Sequence, residues 1–96
     1  MGMIETTVDI PAEHQANVFG QFDAFAKKIE RTLHVTLIAR DDTVKILGEE
    51  TVALQAKSVL EQLTALARRG NQIQEQNVNY TLALSMEQSE GKVLEI

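Results

Sequence analysis

From Glu13 onward, apolar residues fall at Val18, Phe19, Phe22, Phe25, Ala26, Ile29 and Leu33. Spacings of three and four place them along one helical stripe, and a stripe of that width must be covered by a second layer. Inside the stripe stands Gly20, a residue poorly suited to a helix interior. No other feature limits the chain as much. It predicts a short helix, a turn at Gly20-Gln21-Phe22-Asp23 and a longer helix, with Lys27, Lys28, Glu30 and Arg31 largely off the buried face. Phe22 is expected in the core with Phe25 and Ile29, and the Asp23 carboxylate is expected to cap the longer helix by accepting backbone N–H bonds.

The flanking segments supply the second layer. Thr6-Thr7-Val8-Asp9-Ile10 alternates polar and apolar and stops at Pro11, which predicts a first strand followed by a helix start. Val35-Thr36-Leu37-Ile38-Ala39 is rich in β-branched residues and reads as a strand. Residues 40–43 are turn-like, and Val44-Lys45-Ile46-Leu47 completes a hairpin that Gly48 should end. A further helix starts near Thr51 as its cap and carries Val52, Ala56, Val59, Leu60, Leu63, Leu66 and Ala67 on one face. Arg68 and Arg69 suit its last turn, and Gly70 suits its stop. From Glu75 to about Glu87 a last helix places Val78, Leu82 and Met86 at four-residue steps, leaving Tyr80 and Leu84 on another side as candidate interface residues. Lys92-Val93-Leu94-Glu95-Ile96 alternates like a strand without an evident partner. This order predicts an α+β, two-layer domain: a three-stranded antiparallel sheet with helices on one face, over residues 6–70. Residues 71–96 then form a C-terminal helix and linker of what reads as a longer protein.

Composition narrows the function classes. With 96 residues, 44% of them hydrophobic and 24% charged, the chain is expected to build one small core. Its net charge of −5 argues against charge-driven binding to nucleic acid, whose affinity rests on phosphate neutralisation. There is no cysteine, so no disulfide or thiolate metal site is expected, and a cytoplasmic location is anticipated. No apolar run approaches the roughly 20 residues of a membrane span, so no membrane partner is expected. His14 and His34 lie far apart and have no ligand at metal spacing. Ser58, Ser85 and Ser89 have no base arranged near them, so catalytic residues are not expected.

The order strand, helix, glycine turn, helix, strand, strand, helix resembles a type I KH domain, with Gly20 where the first glycine of that family's GxxG turn falls. A closer likeness lies in "VFGQFDAFAKKIERTLHVTLIARDDTVKILGE" followed by "VLEQLTALARRGNQIQEQNVNYTLAL". This run is similar to the N-terminal domain of PhoH-like proteins, a family of bacterial cytoplasmic ATPases named after phosphate starvation. Gly20, Phe22, Asp23, Ile29, Glu30, Leu33, Val35 and Gly48 carry that match. The resemblance implies a KH-like, non-catalytic module that binds RNA or presents it to an ATPase domain. Single-stranded RNA, that ATPase domain and a second copy of the chain are the implied partners. ATP and magnesium are expected only in the absent ATPase domain, because the one Gly-Lys pair here, Gly91-Lys92, is followed by Val93 and lacks the hydroxyl of a P-loop. The implied nucleic-acid contacts are Gly20, Gln21, Lys27, Lys28 and Arg31, with Arg40 and Lys45 extending a basic strip along the hairpin. Asp23 stands where a KH turn has its second glycine. The competing expectation is therefore a protein-interaction module that has kept the turn and lost the nucleic acid.

Overall fold

In a computed structural model that describes the backbone of residues 2–94 and the side chains of residues 2–87, the chain begins with β1 (Met3–Asp9) and α1 (Ala12–Phe19). A single 3-10 turn (Gln21–Asp23) leads into α2 (Ala24–Leu33). The hairpin strands β2 (Thr36–Arg40) and β3 (Thr43–Glu49) follow, and then α3 (Glu50–Arg68) and α4 (Glu75–Leu94). The strands form one antiparallel sheet in the order β1-β3-β2. This is the expected α+β architecture, and it is consistent with a KH-like fold.

The pleat explains which residues meet the helices. Val44, Ile46 and Gly48 of the central strand and Val8 of β1 turn inward and are buried. Glu5 and Thr7 fall on the other face, opposite Leu47 and Lys45. α3 lies across β1 and β3, and α1, α2 and α4 pack around it. Ile10, Val18, Ile29, Leu60, Leu63 and Val78 are fully buried where these layers meet.

Several boundaries differ from expectation for identifiable reasons. β1 begins at Met3, earlier than residue 6, because its register on β3 runs from Met3 opposite Glu49 to Asp9 opposite Thr43. Gly48 lies within β3 and does not end it. A β-carbon at Gly48 would stand 2.8 Å from Val35 Cγ1, so the glycine admits close approach of the chain that enters β2. Thr51 lies inside the first turn of α3, whose N-cap position is Glu49. At the far end the forecast stop is built as a Schellman motif. Gly70 adopts φ 91°, its N–H donates to Ala67 O, and Asn71 N–H donates to Leu66 O at 3.2 Å. In α4 the buried side carries Val78, Thr81, Leu82 and Ser85, whereas Met86 is 42% exposed. Residues 92–94 continue α4 as helix and not as a strand; residues 95 and 96 lie outside the described residues.

The hairpin turn is tied to the start of α1. Asp42 Oδ1 accepts the Ala12 N–H at 2.7 Å and Asp42 O accepts the Ile10 N–H at 3.0 Å. Pro11 occupies the N-cap position without a side-chain acceptor, so the cap comes from Asp42, thirty residues away in the chain.

Candidate nucleic-acid interface

The turn between α1 and α2 is held from both sides. Gly20 N–H donates to Ala16 O, ending α1, and Asp23 N–H donates to Gly20 O, each at 3.0 Å. Gly20 adopts φ 82°, ψ 170°, a region open essentially to glycine alone. The Phe25 ring also lies against it, so that a β-carbon there would stand 2.6 Å from Phe25 Cδ2. Beyond Gln21 the backbone is left-handed at two successive residues, Phe22 at φ 55°, ψ 32° and Asp23 at φ 59°, ψ 26°.

That backbone overturns two expectations. Phe22 is 85% exposed and not in the core, because the left-handed pair rotates it off the stripe while Phe25 packs inward over Gly20. Asp23 makes no side-chain cap bond to α2. A capping oxygen reaches the N2 or N3 amide from an extended backbone, and a left-handed residue aims it elsewhere.

Between this turn, α2 and β2 lies a groove of about 160 Å³. Phe19, Ala26, Leu37 and Ala39 give it apolar walls, and Asp23, Lys27 and Glu30 give it polar groups. Glu30 Oε2 accepts the N–H of Leu37 at 2.8 Å. That amide therefore points away from β3, and residues two apart on a strand share their direction, so the backbone of Ala39 also faces outward. The groove thus offers two carboxylates, one of them already bonded to the Leu37 amide, one ammonium and an outward-facing strand edge. It is a surface of hydrogen-bond acceptors over an apolar floor, with little positive charge.

The remaining predicted contacts do not all converge here. Gly20 and Gln21 sit on the turn but open towards the other side, where a depression of about 430 Å³ is bounded by Asn17, Phe25, Gln72 and Ile73. Lys27 lies in the groove. Lys28 is drawn to the opposite flank, where its Nζ lies 3.3 Å from Glu75 Oε2 of α4. Arg31 is exposed in the last turn of α2. Arg40 and Lys45 lie on the sheet face away from the helices, beside Thr7, Ile38 and Thr43. Strand alternation separates Arg40 from the groove that Leu37 and Ala39 line.

No family model matches the chain. Among curated proteins, it is 32% identical to a PhoH-like protein of Bacillus subtilis over 69 residues, covering 72% of this chain and 22% of that protein. PhoH-like proteins of Mycobacterium bovis and Mycobacterium tuberculosis are 25% identical over 81 residues, 84% of this chain and 23% of theirs. This chain is related to the PhoH-like proteins. It spans under a quarter of the length of these PhoH-like relatives, as a domain or fragment of such a protein would. Among solved structures, a protein of unknown function from Aeropyrum pernix superposes with a TM-score of 0.72 at 16% identity, over 99% of this chain and 53% of that one. That likeness shows a shared fold.

The second candidate surface lies on α4. Tyr80 is 67% exposed, and Leu84, one helical turn on, is half-buried. No helix among the described residues is long and apolar enough to cross a membrane. Sequence reasoning missed Phe19, Ala26, Leu37 and Ala39 as groove walls, although the small Ala26 on a stripe of large residues marks where α2 leaves room. It also missed Glu30 as the residue that occupies the strand edge.

Proposed function

We propose that this chain is the non-catalytic N-terminal module of a larger PhoH-like protein, and that it guides single-stranded RNA towards the ATP-hydrolysing part of that protein. The observation that carries the reading is the groove beside β2: apolar walls, an outward strand edge and the carboxylates of Asp23 and Glu30. Such a site suits bases more than phosphates. Carboxylates accept hydrogen bonds from exocyclic amino groups such as that of cytosine, and uracil has none to give. Phosphate neutralisation contributes little, since Lys27 is the only cation among the described residues that line the groove.

Fluorescence anisotropy with labelled oligocytidine and oligouridine at low and moderate salt tests this reading. Oligocytidine is expected to bind more tightly, with a logarithmic salt slope near about −0.7, the value for one phosphate contact on a single strand. Lys27→Ala should flatten that slope. Absence of binding at low salt refutes the RNA reading. It would leave the interaction module, which the exposed Tyr80 of α4 favours.

A further inference from the structure

We infer that Phe22 is a stacking residue that receives a nucleobase where the single strand crosses the turn. The inference rests on the RNA reading above and adds a contact outside the groove itself. The ring is 85% exposed at the tip of a turn, in a chain with few aromatic residues. Burial does not require it there, since it has no place in the hydrophobic core cluster. Backbone comfort does not require it either. Both Phe22 and Asp23 sit in the left-handed region, which a bulky side chain occupies only under constraint, and such strain gathers at working sites. The Phe25 ring packed on Gly20 and the Asp23 N–H bond to Gly20 O supply that constraint and fix the direction in which Phe22 projects.

The neighbours indicate what the ring meets. Asp23, one residue on, lines the groove beside β2, and Gln21, one residue back, lines the depression on the opposite side of the turn. A strand running from one to the other passes over Phe22. The other exposed large apolar side chains among the described residues, Met3, Ile38, Leu54, Tyr80 and Met86, belong to other elements, and the ring's chain neighbours, Gln21 and Asp23, are polar. A protein hot spot sits at the centre of an apolar cluster. A base needs only one π-face, and a single ring provides it.

The chain contains no tryptophan, so Phe22→Trp introduces a single indole at the site. Oligocytidine should quench its fluorescence with the same midpoint as the anisotropy titration. Phe22→Asn, which accepts the left-handed backbone, should weaken binding roughly tenfold without lowering the melting temperature. If anisotropy reports binding while the indole is not quenched and Phe22→Asn binds within twofold of wild type, the stacking role is overturned and the RNA reading stands. If the wild-type chain binds no RNA at all, both fall. If Phe22→Asn changes the sedimenting mass, the ring serves self-association and the stacking role is again overturned.

Discussion

Replacing Gly20 by alanine should be far more damaging than one added methyl group suggests. Two separate penalties meet at that atom. The backbone stays at φ 82°, ψ 170°, where a residue with a β-carbon carries about 1–3 kcal/mol of strain. The new carbon would also lie 2.6 Å from Cδ2 and 2.7 Å from Cγ of Phe25, and forcing that ring aside costs about 1–3 kcal/mol more. Because Cγ sits close to the main chain, a small rotation of the ring cannot relieve the contact. Alanine recovers about 0.4–1 kcal/mol by restricting the unfolded chain, which leaves a net loss near 3 kcal/mol. In a domain of this size that lowers the melting temperature by roughly 12–24 °C. Thermal and urea unfolding followed by circular dichroism measure the change, and Phe25→Ala in the same background separates the two penalties. With the ring removed, Gly20→Ala should cost about 1–2 kcal/mol less than it does alone. A Gly20→Ala variant within about 0.5 kcal/mol of wild type, or strict additivity with Phe25→Ala, would refute the reasoning.

Two smaller perturbations probe the caps. Asp42→Ala removes the acceptor of the Ala12 N–H and should cost about 1 kcal/mol, with Asp42→Asn recovering most of it in urea titrations. His34 closes α2 at φ 57°, its N–H bonded to Glu30 O, so His34→Gly should relieve left-handed strain and stabilise the fold by about 0.5–1 kcal/mol net of glycine's greater entropy loss. A lower urea midpoint for His34→Gly would count against that backbone assignment.

The sequence discloses the fold where its apolar period agrees with its punctuation. The stripe over Val59, Leu60, Leu63 and Ala67 is buried as its spacing implies, and the Gly70 stop is where composition places it. Gly20 marks the turn correctly because no other residue type tolerates its conformation. Phe22 defeats the same reading, since helical spacing assumes an unbroken helix and two left-handed residues cancel the register within a single step. Gly48 defeats it differently. Glycine punctuates chains most often by ending elements, but here it makes room for Val35, a fact held by a residue far off in sequence. The groove was legible only in outline. Its turn and Lys27 can be read from the chain, but its walls depend on which face of β2 looks towards α2. Arg40 shows the limit, being one residue from Ala39 and on the opposite side of the sheet.

Glu30 has a consequence for solubility. β2 is an edge strand, and such an edge ordinarily invites a strand from another molecule to pair with it. The carboxylate seated on the Leu37 amide fills one rung of that ladder from within the chain. An incoming strand would have to displace it and strip its water, which desolvates a charge for the sake of one amide bond. The same side chain that shapes the groove thereby guards it, so the edge can stay open to a ligand without becoming a template for fibrous self-assembly.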